Sequence, residues 1–253
     1  MCRHFAYLGP PAALHDLVFA PPVGLERQSY APRRQKYGLL NADGFGFGWY
    51  VAGSAEPVRY RRAVPLWGEE NIRALARVTH SGAVLGAVRS ATIGHPVQEG
   101  ASAPFTAGRW LFSHNGALPD WPQSAAELAA GVPFAALARQ GTLTDSTLLW
   151  ALVLARLEAG EDAVTAMTAV TAQTRDTTGG RVNLLLLDGE RIVATTAGDT
   201  LCYLQGAHPG ADGEPQPAVI VASEPFDDSD AWVDVPDNHV LVATAETTTL
   251  EIM

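Results

Sequence analysis

The stretch NLLLLDGERIVATT, residues 183–196, reads as two strands joined by a tight turn. Asn183 to Leu187 and Arg191 to Thr196 are apolar or β-branched runs. Asp188-Gly189 between them is a hairpin signal, because a two-residue type I′ turn requires positive φ at both central positions. A hairpin makes its two strands antiparallel neighbours. Outward from it, periodicity marks further strands around Phe5 to Leu8, Gly46 to Val51, Ala83 to Val88, Trp110 to His114, Leu201 to Leu204, Ala218 to Ala222 and His239 to Thr244. Helices are fewer. Thr144 caps one that runs through Leu148, Leu149, Leu152 and Leu157 to Gly160, and another runs from Asp162 to about Thr174. Ile72, Leu75, Ala76 and Thr79 form a helical stripe, and Ser124 with Glu127 reads as a capping box for a short helix that stops near Gly131. His208 to Pro217, with three prolines and two glycines, reads as a long surface loop within one domain. Strands thus flank a central helical pair with no parallel βαβ alternation. The expectation is an α+β fold of antiparallel sheets with helices segregated onto their outer faces.

The chain has 253 residues, enough for one large domain or two small ones at about 150 residues each. Hydrophobic residues make up 47% and charged residues 17%, against roughly 25% charged in ordinary globular chains, so the composition is that of a packed globule. The net charge of -10 argues against nucleic-acid binding, which rests on clustered Lys and Arg. Lys36 is the only lysine and lies outside any Gly-rich phosphate loop. The longest apolar run, Leu148 to Ala155, is far below the roughly 20 residues of a membrane helix, and His15 and Asp16 interrupt the only candidate signal segment. Two cysteines, Cys2 and Cys202, leave no disulfide framework and no Cys-rich metal cage. A cytoplasmic location is expected, with no metal and no cofactor.

Five places carry possible chemistry. Cys2 follows Met1, and a small second residue is the condition under which the initiator methionine is usually removed. The chain would then begin with a cysteine whose own α-amino group, of reference pKa about 7.7 to 8.0, can take the thiol proton; otherwise Cys2 is an arbitrary small residue. Asn115-Gly116 follows an apolar strand and offers side-chain and backbone N–H donors for an oxyanion, with no Cβ at Gly116 to obstruct a ligand; it is also a common turn dipeptide. Arg89, in Arg89-Ser90-Ala91-Thr92, stands where a strand meets a loop and can fork a carboxylate or make a surface ion pair. Asp145 at a helix start can accept from a substrate ammonium or complement the helix dipole. In Asn41 to Tyr50, glycines alternate with aromatics as GxGxG with no following helix, which fails the dinucleotide fingerprint and fits a strand whose glycine face lies against a backbone or a substrate. No HExxH or CxxC spacing occurs.

Taken in order, Met1 to Gly9, Asn41 to Tyr50, Arg89 to Thr92, Ser113 to Gly116 and Thr144-Asp145-Ser146 resemble the class II glutamine amidotransferases, amino-terminal-nucleophile hydrolases with a four-layer αββα sandwich. Within that class, the opening segment, Ser29 to Gln35, the Asn41 stretch and Ala222 to Phe226 look most like the branch that acts in ergothioneine biosynthesis on a γ-glutamyl amide of hercynylcysteine sulfoxide. The resemblance spans residues 1–253 as a single domain.

It implies that Cys2 attacks the γ-carbonyl, that Asn115 and Gly116 hold the oxyanion, that Arg89 grips the glutamyl α-carboxylate and Asp145 its α-ammonium, and that Thr92 is a further substrate-binding residue. Many members of the class have histidine after that threonine; here the position is Ile93, so a polar contact is lost and the glutamyl head leans on Arg89 and Asp145. A domain of this class consumes nearly all 253 residues, which leaves no synthase domain and favours a free-standing hydrolase of a small-molecule substrate. For the departing portion, Arg33 or Arg34 is a candidate partner of a carboxylate and Trp49 of a quaternary ammonium. The rival readings are a glutaminase subunit that passes ammonia to a separate protein and a non-catalytic γ-glutamyl binding module.

Overall fold

Thirteen strands and seven helices of five residues or more succeed one another in a computed structural model that describes residues 2–210 and 212–253. The strands are β1 (Arg3–Ala13), β2 (Phe45–Trp49), β3 (Val58–Arg62), β4 (His80–Val88), β5 (Phe105–Ala107), β6 (Trp110–Ala117), β7 (Arg181–Leu187), β8 (Ile192–Thr195), β9 (Cys202–Pro209), β10 (Pro215–Ala222), β11 (Val233–Asp234), β12 (His239–Ala243) and β13 (Thr248–Ile252). The helices are α1 (Leu14–Val18), α2 (Leu25–Tyr30), α3 (Glu70–Val78), α4 (Ala126–Ala130), α5 (Phe134–Ala138), α6 (Asp145–Glu158) and α7 (Ala163–Thr178). One sheet has the order β11-β9-β10-β1-β4-β2-β3 and the other β13-β12-β8-β7-β6-β5, and the pairings are antiparallel.

Three apolar clusters account for the layering. Alternate residues of a strand face opposite sides of its sheet. On β7, Leu185 and Leu187 join Ala6, Leu8, Leu85, Leu111 and Val219 between the two sheets. Leu184 and Leu186 turn the other way, onto α6 and α7, with Phe112, Leu148, Trp150 and Met167. On β1, Phe5 and Tyr7 face α1 to α3 together with Phe45, Phe47 and Ile72. A four-leucine run with no polar alternation is what a strand buried on both faces requires. The result is the expected αββα sandwich of two antiparallel sheets.

The glycine stretch follows the same logic. Phe45 and Phe47 point into the helical layer, while a Cβ on Gly48 would lie 2.6 Å from Leu111 Cδ2 and one on Gly46 would overlap the Ala103 carbonyl oxygen. The glycines let the second sheet approach, which is the backbone-contact alternative of the sequence reading.

Several local expectations are corrected. The residue 188–191 turn has positive φ at Gly189 only (93°), not at Asp188, the pattern of a type II′ turn with glycine first; Asp188 Oδ1 instead accepts from the N–H groups of Glu190 and Arg191. Ser124 bonds the Pro119 carbonyl and caps nothing, and α4 starts without a side-chain cap. His208 to Pro217 is largely a hairpin, with Pro209 opposite Pro215. Its prolines are tolerated because β10 pairs with β1 only over Val219 to Ala222, so they remove no ladder bond from a central strand. Thr144 does cap α6, in a reciprocal box with Thr147, and Asp162 caps α7, which continues to Thr178 before the left-handed Gly179.

A Gly46→Ala substitution is expected to lower stability by about 1–3 kcal/mol, since a backbone carbonyl cannot swing aside as a side chain can. The shift of the urea midpoint at constant denaturant slope measures it.

Candidate active site

Cys2 precedes the first residue of β1, a central strand of the first sheet. Arg3 pairs with Val88, so Cys2 and Arg89 leave their strands side by side. Asn115 comes from the other sheet, where β6 pairs with β7 and Asn115 faces Asn183. The Cys2 backbone N–H donates to Asn115 Oδ1 at 3.1 Å and joins the two sheets at their edge. Asn115 is fully buried and its Nδ2 has no hydrogen-bond partner among the described residues. Cys2, Arg89, Ser113, His114 and Ser146 line one narrow cavity here, with Phe45 and Phe105 as apolar walls.

Gly116 is required for a different reason from the one expected. A Cβ there would overlap the Arg181 carbonyl oxygen of β7 and stand 2.5 Å from His114 Nε2, so it is the neighbouring strand, not a ligand, that excludes a side chain. His114 Nε2 lies 3.3 Å from that same carbonyl, and because a carbonyl only accepts, the proton is on Nε2. Nδ1 then accepts from the Ser146 hydroxyl at 3.0 Å. His114 thus braces the start of α6 against β7.

Asp145, first residue of α6, is buried and accepts from the Ser146 N–H at 2.7 Å. Its Oδ1 is 3.6 Å from His95 Nδ1. Ile93 is fully exposed, whereas His95, two residues on, has a buried ring packed edge-on to Trp121. The same loop thus turns position 93 to solvent and sets the His95 ring beside Asp145. Arg89 is nearly buried and donates from Nη1 to the Pro96 carbonyl at 2.9 Å. Thr92 lies outside the narrow cavity, on an open cleft with Ile93, Trp121 and Arg181.

The Asn41 stretch acts as a brace. Asp43 Oδ2 accepts from the Ala91 N–H at 2.7 Å and its own N–H bonds the Arg89 carbonyl, which sets the arginine loop. Asn41 Nδ2 donates to the Gln28 carbonyl and to Gln35 Oε1. Buried Glu224 accepts from the backbone N–H groups of Arg33 and Arg34. The side chains of those arginines pair with Asp228 and Asp234, and Trp49 packs on the helical side of the first sheet. Arg33 and Arg34 line one cleft of about 330 Å³ together with Glu224 and Trp232, whereas Trp49 lies elsewhere, on that helical side. His95, Ser146, Asn183 and Glu224 were not singled out as site residues, because each gains its meaning from partners distant in sequence.

Over residues 21–252 the sequence matches the glutamine amidotransferases class-II family, and the chain belongs to it. Its members are amino-terminal-nucleophile hydrolases, and the two-sheet architecture is theirs. Among its relatives, the protein of Mycobacterium tuberculosis (strain CDC 1551 / Oshkosh) named gamma-glutamyl-hercynylcysteine sulfoxide hydrolase is 43% identical over 251 residues, 99% of this chain and 96% of that one. The Mycolicibacterium smegmatis protein of the same name is 44% identical over 242 residues, 95% of each chain. A solved glutamine aminotransferase class-II domain protein from Silicibacter pomeroyi has a TM-score of 0.68 at 22% identity and 99% coverage of both chains. Glutamine phosphoribosylpyrophosphate amidotransferase from B. subtilis has a TM-score of 0.64 at 17% identity, with 99% of this chain matching 49% of that one. At such identities these two establish a shared fold. No helix among the described residues is long and apolar enough to cross a membrane.

His4, between Cys2 and the core, is wholly buried, with Nδ1 3.0 Å from Ser113 Oγ. Burial first, then coupling to the His114 ring and the charge of Arg3, push its pKa down to about 3. The folded protein thus keeps His4 neutral where the unfolded chain, near 6.5, binds a proton. Unfolding takes up protons between these values, so stability falls as pH drops from about 6.5 towards 3. His95 and His114, both lowered chiefly by burial, act in the same direction. Thermal midpoints across that range are expected to decline less steeply in His4→Asn than in the wild type.

Proposed function

We propose that this protein hydrolyses the γ-glutamyl amide bond of γ-glutamyl hercynylcysteine sulfoxide, releasing glutamate and hercynylcysteine sulfoxide in the cytoplasm, as a single domain over residues 1–253 with no cofactor. The near full-length relatives named for that reaction support the substrate. The observation that carries the chemistry is the Asn115 amide: its oxygen is occupied by the Cys2 N–H, which leaves a buried Nδ2 with no acceptor among the described residues. A buried donor without a partner costs about 1–3 kcal/mol, and a site that needs an oxyanion donor is where such a cost is retained.

Removal of Met1 converts the Cys2 amide nitrogen into an α-amine in the same place. The amine accepts the Sγ proton as Sγ bonds the γ-carbonyl carbon, and the carbonyl electron pair moves onto oxygen, facing Asn115 Nδ2 and the Gly116 N–H. Collapse of this intermediate breaks the C–N bond while the ammonium returns its proton to the departing nitrogen, leaving a γ-glutamyl thioester. Water, deprotonated by the same amine, adds to the thioester, and C–S cleavage frees glutamate and restores the thiol. Arg89 takes the α-carboxylate with Thr92 at the rim, and Asp145, held by Ser146 and flanked by His95, takes the α-ammonium.

The test compares the wild type with variants on the sulfoxide conjugate and on glutamine, following glutamate release. Cys2→Ala is expected to abolish turnover and Asn115→Ala to lower it by about 10² to 10³. Intact mass should show a chain that begins at Cys2. Retention of Met1 in active enzyme, or glutamine turned over faster than the conjugate, contradicts the reading.

A further inference from the structure

The amide nitrogen of the proposed substrate belongs to a cysteine residue, so a carboxylate stands one carbon away from the bond that breaks. Glutamine has no such group. A site for it must therefore lie beside the oxyanion donors, outside the narrow glutamyl cavity.

Arg181 meets these conditions. Its carbonyl oxygen occupies the space where a Gly116 Cβ would be and accepts from His114, which ties its backbone to the reacting centre. Its side chain borders an open cleft of about 600 Å³ shared with Thr92, Trp121 and Tyr37, and a second of about 810 Å³ that runs on towards Arg175 and Asn238. Both are of the size that holds a small molecule. The guanidinium is pre-set: it lies over the Tyr37 ring at 4.2 Å, Nη1 donates to Asp199 Oδ2 at 2.7 Å, and its stem packs on Gly198. Asp199 is buried, while the arginine side chain remains 24% exposed. Asn183 fixes the loop beneath it, with Oδ1 accepting from the Ala197 and Asp199 N–H groups and Nδ2 donating to the Asp199 carbonyl. A planar fork has five N–H donors, so one bond to Asp199 leaves others for a second carboxylate. The charges of Arg181 and Asp199 are felt at Arg3 and His114, on either side of Cys2.

We propose that Arg181 is the residue that selects the departing half of the substrate, its guanidinium receiving the carboxylate of a departing α-amino acid at the rim beside Gly116. The proposal rests on the γ-glutamyl hydrolase reading and deepens it, by making the preferred substrate class γ-glutamyl amides of amino acids over glutamine and simple amides.

Two substrates that differ only in this carboxylate, γ-glutamylalanine and γ-glutamylethylamine, isolate the contact. The wild type is expected to favour the first in kcat/KM. Arg181→Met, which keeps the stem, should lower kcat/KM for γ-glutamylalanine by about 10- to 100-fold and leave γ-glutamylethylamine unchanged, with partial recovery in Arg181→Lys. Because the single change strands the buried Asp199, Arg181→Met with Asp199→Asn serves as a second variant, and the same split is expected. No wild-type preference, or an equal fall on both substrates in both variants, overturns the assignment. Failure of the wild type on every γ-glutamyl amide would instead overturn the hydrolase reading itself.

Discussion

One hydrogen bond, from the Cys2 N–H to Asn115 Oδ1, joins the starting end of β1 in one sheet to the finishing end of β6 in the other. The site therefore exists only where the sheets are stacked in register. The apolar layer of Ala6, Leu8, Leu85, Leu111, Leu185 and Leu187 sets that stacking, and small residues at Gly46 and Gly48 permit the approach. Packing of this kind is jigsaw-like, so displacing one sheet would part nucleophile from oxyanion donor. Core and site are in this sense a single construction.

Around that junction the polar groups are held in place by hydrogen bonds to their neighbours. Asp43 sets the Arg89 loop, His114 and Ser146 set the first turn of α6, and Asn183 sets the loop that carries Asp199. Such supporting bonds give a site its positional precision, since each donor then costs little reorganisation when charge develops. Glu224 does the same for residues 33–34, which explains why a buried carboxylate sits in a segment otherwise given to loops. The same supports resolve an apparent paradox of charge. A chain at net -10 still fixes arginines locally, Arg89 at the narrow cavity and Arg181 on the open cleft that Thr92 shares, and at such short range a local field outweighs the overall balance.

Much of the architecture was legible because it rests on local physics. The Asp188-Gly189 hairpin, the Thr144 and Asp162 caps and the two-faced leucine run are signals carried by neighbouring residues. Short strands such as Val58–Arg62, Phe105–Ala107 and Thr248–Ile252 were not, because each is an edge or near-edge strand whose pairing comes from its partner and not from its own periodicity. The hairpin within His208 to Pro217 was hidden by its prolines, whose usual meaning changes once no partner lies on one side. Ile93 and His95 show the limit at the site: sequence registers the missing histidine at one position, and only the loop's path shows another ring beside Asp145.

The sequence by itself determined the layer type and the ordered set of Cys2, Arg89, Asn115-Gly116 and Asp145, since turn chemistry, periodicity and residue identity are properties of short segments. Tertiary structure alone decided which of those groups share a cavity, why Gly116 admits no side chain, and that the Arg181 carbonyl lies against Gly116. These are relations between residues far apart in the chain, such as Cys2 with Asn115 and Gly116 with Arg181. They come into being only when two sheets bury their facing leucines against each other and fix every distance across the interface.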